Sequence, residues 1–127
     1  MSEMLIDTDI FVDFLRNNNK AKNFFEKIIS GQITGYSSVI TEAELFSGKE
    51  CEISEKKDAV NNLLSLINKT AIDSIIARQA GEFRRKYQIP LMDALIAASA
   101  FKLRMPVCTR NTKHYKLIRE IKTTSPY

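Results

Sequence analysis

The chain has 127 residues, 44% hydrophobic and 27% charged, with a formal net charge of +4 and a pI near 9.1. That is one domain of ordinary globular composition, spanning residues 1–127, with room for a single core and too little chain for two. The mild basic excess permits an anionic partner, whereas the lack of a long uncharged apolar run argues against a membrane span.

The first element is short. Leu5 and Ile6 read as a buried strand, and Asp7 falls where that strand ends. In an open α/β sheet the carboxyl ends of the strands border the crevice where ligands bind, so a carboxylate there is placed for chemistry. Asp7 and Asp9 are equally good helix N-caps, and this stretch alone does not separate the two readings. Ile10, Phe11, Phe14 and Leu15 then repeat at helical spacing as far as Asn17-Asn18-Asn19. A second amphipathic helix carries Ala21, Phe24, Phe25, Ile28 and Ile29, with Gly31 as its stop. Ile33 to Tyr36 reads as a second strand, and Ser37 and Ser38 are placed to cap a helix from Val39 to about Gly48.

Residues 51–57 are polar, as expected of a loop or a mobile helix start. Ala59, Val60, Leu63, Leu64 and Ile67 define the next helix, and Thr70-Ala71-Ile72 a short third strand. Asp73 is expected to cap the helix holding Ile76, Ala80, Phe83 and Tyr87. Pro90 suits the first turn of the following helix, which extends to about Arg104. This helix is apolar nearly all round and is expected to be largely buried. Pro106 to Thr109 reads as a fourth strand, Lys113 to Leu117 as a short helix, and the region of Ile121 as a last edge strand. Strands alternating with helices imply a three-layer α/β fold with a mostly parallel sheet.

Two cysteines, Cys51 and Cys108, lie far apart with no paired metal spacing, which fits free thiols in a reduced compartment. No basic segment followed by an apolar run opens the chain, and the longest apolar stretch, Leu91 to Phe101, is interrupted by Asp93. A cytoplasmic protein is expected. Basic residues cluster at Arg84-Arg85-Lys86 and again beyond Phe101, where Lys102, Arg104, Arg110, Lys113, Lys116, Arg119 and Lys122 are opposed only by Glu120. Such a bias suits a solvated face or a nucleic-acid partner.

Asp93 stands in the first turn of its helix, and none of its helical neighbours offers it a cation. The helix dipole alone would favour it there. Glu42 and Glu44 are two residues apart on one helix and diverge by roughly 200°, so a single cleft uses only one of them. Periodicity does not choose between them, and Thr41-Glu42-Ala43-Glu44 also fits a capping box. If Asp7, Asp93 and one glutamate converge, two carboxylates ~4 Å apart repel by about 4 kcal/mol at an effective dielectric of 20. A cation then keeps the group ionised, and hard oxygen donors without His or Cys select Mg²⁺ or Mn²⁺. Metal-assisted hydrolysis of a phosphate ester is the chemistry this suggests.

Leu5-Ile6-Asp7-Thr8, Ser38 to Leu45 with Gly48, Asp93 to Ala98, and Thr109-Arg110-Asn111 resemble, in order and over essentially the whole chain, the successive motifs of PIN domains. Among these the VapC-type toxins of toxin–antitoxin pairs are the most similar. The resemblance implies a Mg²⁺- or Mn²⁺-dependent endoribonuclease, a homodimer, and a cognate antitoxin with a segment lying across the active cleft. It carries Asp7 over as first metal ligand, Glu44 as second acid and Asp93 as third, with Thr8 and Thr109 as supporting hydroxyls. Where many members have Asp, this chain has Asn111, which brings at most a weak ligand and puts a second metal site in question. His114, the only histidine, stands where an acid often precedes the aromatic residue and reads as a surface residue. Arg110, Lys113 and Lys116 are candidates to bind the RNA backbone, and Tyr36 or Tyr115 to stack on a base. The alternatives are a catalytically weak PIN-like RNA- or antitoxin-binding module and, from the Asp7-Thr8-Asp9 spacing, an aspartyl phosphatase of the haloacid-dehalogenase type.

Overall fold

The computed structural model describes residues 2–127. Five strands, β1 (Ser2–Ile6), β2 (Ile33–Ser38), β3 (Asn68–Thr70), β4 (Val107–Cys108) and β5 (Thr123–Thr124), form one sheet in the order β3-β2-β1-β4-β5. Every neighbouring pair is parallel. Seven α-helices connect and cover them: α1 (Thr8–Leu15), α2 (Asn19–Ile29), α3 (Val39–Phe46), α4 (Ser54–Leu64), α5 (Ser74–Tyr87), α6 (Leu91–Leu103) and α7 (Thr112–Tyr115).

Because side chains alternate along a strand, adjacent residues feed opposite cores. Leu5 and Val107 pack with Ile76, Ala80, Phe83, Ile96 and Ala97 from α5 and α6. Ile6 and Cys108 face the other way, onto Phe11, Phe24, Phe25, Leu63 and Leu64 from α1, α2 and α4. Gly35 in β2 lies close against the core: a Cβ there would stand 2.7 Å from Ile6 Cδ1 and 3.1 Å from Ile67 Cδ1, so those side-chain tips would have to shift.

The chain builds one side of the sheet, from β1 to β3, and then crosses to the other to lay down β4 and β5. The reversal leaves a crevice beyond the carboxyl ends of β1 and β4, the usual ligand position in such sheets. Asp7 follows β1 directly and Thr109 follows β4, so both open onto it.

Several sequence-based boundaries move. Residues 51–57 are helical in large part: a 3₁₀ turn spans Lys49–Glu52 and α4 begins at Ser54. Ile67 lies beyond the end of α4 and leads into β3. β3 and β5 are displaced from the expected positions because both are polar edge strands located by their neighbours' register. The helix α6 is less buried than its composition predicts: Leu91, Met92, Phe101 and Leu103 are exposed while its alanines, Ile96 and Ser99 are covered. Both cysteines are free thiols, Cys108 buried and Cys51 partly so. Burial, reinforced by the charges of Asp9 and Asp7, pushes the Cys108 thiol up to about 12, so it stays protonated and inert. Among the described residues no helix is long and apolar enough to cross a membrane.

Candidate active site

Asp7 performs both roles that the sequence left open. It is the N-cap of α1, its Oδ1 accepting from the Thr8 amide at 2.8 Å, and it lines the crevice with Thr8, Asp9, Val12, Glu44, Asp93, Arg110 and Asn111. Its Oδ2 accepts from the buried Thr109 hydroxyl at 2.8 Å. With 9% of its surface exposed, Asp7 is held up to about 6 by burial and then by the charge of Asp9. The two hydrogen bonds pull it down and Asp93 adds a smaller upward push.

Glu44 reaches the crevice and Glu42 does not. The Thr8 hydroxyl donates to Glu44 Oε1 at 2.7 Å and lies 2.9 Å from the Thr41 hydroxyl. Glu42 turns toward β3, where its Oε1 meets Lys69 Nζ at 2.5 Å. Ser38 supplies the cap of α3, accepting from the Ile40 amide at 3.1 Å, so the capping box at Thr41 is not formed.

Asp93 sits in the first turn of α6, half-buried, and it has a partner after all. His114 Nδ1 lies 2.8 Å from Asp93 Oδ2. The sequence expectation considered only helical neighbours, and His114 comes from α7, 21 residues away. Its surface reading is corrected accordingly.

Asp9, which the sequence offered as a helix cap and as the second acid of Asp7-Thr8-Asp9, also lines the crevice. Its Oδ2 accepts from the backbone amides of Arg110 at 3.1 Å and Asn111 at 3.2 Å, and lies 3.3 Å from the Thr109 hydroxyl, whose shorter contact is with Asp7. It therefore staples the end of β4 and the start of α7 to α1. Its Oδ1 is buried with no hydrogen-bond partner among the described residues. Burial raises the Asp9 carboxyl despite Arg110 and these donors. One turn further along α1, Asp13 meets Arg110 Nε at 2.5 Å and accepts from the Tyr127 hydroxyl at 2.5 Å. Arg110, expected to be a free cation for RNA, is thus already paired, while Lys113 and Lys116 remain exposed on and just after α7. Tyr115 is 1% exposed, which rules out base stacking; Tyr36 is half-buried with its hydroxyl 3.1 Å from Glu3 Oε2.

The crevice is lined by oxygen donors, with carboxylates at Asp7, Asp9, Glu44 and Asp93 and a neutral amide at Asn111. Among the described residues no three His, Cys, Asp or Glu side chains close on one point tightly enough to enclose an ion unaided.

The PIN domain family model matches residues 4–120. This chain belongs to the PIN-domain family. Among curated proteins it is similar to ribonuclease VapC10 of Mycobacterium tuberculosis, 29% identical over 126 residues covering 94% of this chain and 90% of that one. Ribonuclease VapC19 of the same species is also 29% identical, over 92% of this chain and 95% of its own length. Among solved structures, a toxin–antitoxin complex from Klebsiella pneumoniae superposes with a TM-score of 0.81 at 29% identity, covering 98% of both chains. The DNA-bound VapBC of Salmonella typhimurium aligns over the whole of both chains with a TM-score of 0.84, and at 19% identity it speaks for the PIN fold alone.

Proposed function

We propose that this PIN domain is an endoribonuclease, the toxin of a type II toxin–antitoxin pair, which hydrolyses RNA phosphodiester bonds with the help of a divalent metal ion. The observation that carries the reading is the buried Asp7, fixed at the switch point by Thr109 and sharing one crevice with Glu44 and Asp93. Its VapC relatives bear ribonuclease names, and a solved relative at equal identity is a toxin–antitoxin complex.

The donor set fits Mg²⁺ or Mn²⁺. All its donors are hard oxygens, and Mg²⁺ retains several waters while taking only one or two carboxylates, so an incompletely closed cluster suits it. The orphaned Oδ1 of Asp9 adds an unsatisfied acceptor nearby. Asp7 and Asp93 would hold the ion, with Glu44 helping to position it. Once bound, the ion would polarise a phosphodiester oxygen and acidify water. The protein's own part is orientation. Thr109 and the Thr8 amide fix both oxygens of Asp7, the Thr8 hydroxyl fixes Glu44, and His114 fixes Asp93. Each carboxylate then presents one defined edge to the crevice at no reorganisation cost during reaction. Cleavage leaves a 5′-phosphate and a 3′-hydroxyl.

The partners of this reading are an RNA substrate, a second copy of the chain in a homodimer, and a cognate antitoxin. A groove of about 630 Å³ beside Glu44, lined by Val12, Leu15, Leu45 and Val60 with Arg16 and Lys56, suits an amphipathic antitoxin segment. The working compartment is the cytoplasm. Incubating the pure protein with total cellular RNA, in Mg²⁺ or in EDTA, and mapping new 5′ ends tests the proposal. New ends are expected in Mg²⁺ only and never with Asp7→Asn; their absence from the wild type overturns it.

A further inference from the structure

A crevice walled by four carboxylates repels the polyanion it is meant to cut, so cations near it must supply the attraction. Arg110, the cation inside the crevice, is held by Asp13. The Arg84-Arg85-Lys86 cluster is divided by the fold. Lys86 lies 3.4 Å from Glu120 Oε2 and over the Tyr87 ring, and is thereby occupied. Arg84 and Arg85 instead line a separate concavity of about 580 Å³ with Gln88, Ile89, Pro90 and His114, none of them acidic. Arg84 Nη1 donates to the Ile89 carbonyl at 3.1 Å, which sets its guanidinium in the wall. Arg85 has no ion-pair or hydrogen-bond partner among the described residues. This concavity adjoins the carboxylate crevice, because its wall residue His114 is the residue that holds Asp93.

We propose that Arg84 and Arg85, with His114 at the boundary, form a second RNA subsite that binds a backbone phosphate flanking the one cleaved at Asp7 and Asp93. The inference rests on the reading of the crevice as an RNA-cleaving site. Phosphate is the ligand class because a guanidinium fork matches two phosphate oxygens and a cavity without acids leaves it free to do so. Ile89 is buried, so Pro90 is the one exposed apolar side chain of the lining, too little to anchor a protein segment. RNA is thereby directed to the α5–α7 side of the crevice, opposite the apolar groove beside Glu44.

The test is fluorescence anisotropy of labelled single-stranded RNA in EDTA, over a range of salt concentrations. It compares the wild type with Arg85→Ala and with Lys27→Ala on α2 as a charge-matched control. Arg85 is exposed and makes no ion pair or hydrogen bond among the described residues, so its removal should leave folding intact; Arg84→Ala, which also loses the Ile89 bond, is the secondary variant. For a decanucleotide, Arg85→Ala should weaken binding about tenfold and reduce the salt slope by about 0.7 per arginine lost. Lys27→Ala should match the wild type. Decanucleotide affinity and slope unchanged in Arg85→Ala overturn the subsite while leaving the ribonuclease reading standing. Loss of binding to an acidic peptide such as oligoglutamate in that same variant would reassign the cavity to a protein. A wild type that binds no decanucleotide in EDTA also overturns the subsite, whereas absence of Mg²⁺-dependent cleavage by the wild type is what defeats the underlying reading.

Discussion

On the α1–α3 side of the crevice Glu44 is held by the neutral hydroxyl of Thr8, which is itself in contact with Thr41. On the α6–α7 side Asp93 is held by His114, an ionisable ring. Between them Asp7 is nearly sealed from water and held by one hydroxyl and one amide, without a cation. The difference shows where the cost of the site is concentrated. Glu44 and Asp93 stand at the rim and keep much of their hydration, whereas Asp7 bears most of the desolvation and like-charge repulsion.

Asp7→Asn should therefore have the largest effect, and in two opposite directions. Cleavage should fall roughly 10³-fold or more, as expected when a preorganised charged group is lost. Stability in metal-free buffer should rise. Asp7 is held at about 6 in the folded protein against 3.8 unfolded, so the folded state binds the extra proton. Its contribution is fully present below the unfolded value and is lost as pH rises through about 6. Urea titrations should find the wild type losing stability between pH 4 and 7, by at most about 3 kcal/mol from this group, and Asp7→Asn flatter over that range. A variant no more stable at pH 7 than the wild type would show that Asp7 is not the strained member.

Next come the rim acids. Asp93→Asn should cost cleavage to a similar degree but change stability little, because the group is only half-buried. If His114 matters by fixing Asp93, His114→Leu should lower Mn²⁺ affinity and kcat about tenfold, in the range of an outer-shell partner of a metal ligand. His114→Asn, which retains a donor near Nδ1, should recover most of it; equal loss in both would reduce the contact to packing. On the opposite wall, Glu44→Gln should lose cleavage about 10²-fold. Glu42→Gln should stay near wild type and lose at most ~1 kcal/mol with its exposed Lys69 pair. The smallest effect is expected at Asn111. Calorimetric Mn²⁺ titration should show one strong site in the wild type and in Asn111→Ala, and tighter binding of a second ion in Asn111→Asp. Two equally tight ions in the wild type would assign the extra ligand to Asp9.

These asymmetries were unevenly legible in the sequence. Asp7 at a strand end, Pro90 ahead of α6 and Asp73 as the cap of α5 follow from local rules, because each depends on neighbours within a turn or two. Glu44 could be separated from Glu42 only through the PIN resemblance, since the partner that holds Glu42 away, Lys69, lies on β3, far along the chain. β3 and β5 were misplaced because apolar Ala71-Ile72 and Ile121 attract a strand assignment, while the observed strands are polar and fixed by pairing with β2 and β4. No periodicity connects His114 to Asp93 or Asp9 to Asn111. Asp9 and Asp13 did carry a signal, standing four apart on one helix face, and both turn out to grip the segment after β4.

The hydrogen bond from Thr109 to Asp7 joins residues 102 apart, and it is made between the first strand synthesised and the fourth. At typical elongation rates of about 5–20 residues per second, the ribosome needs roughly 5–20 s to deliver the second partner after the first. During that interval the nascent chain carries Asp7 without Thr109, without Asp93 for most of the time, and without the β4 neighbour that closes the crevice. The crevice cannot close around Asp7 until β4 emerges, so the timing of its assembly is written into the order of the strands.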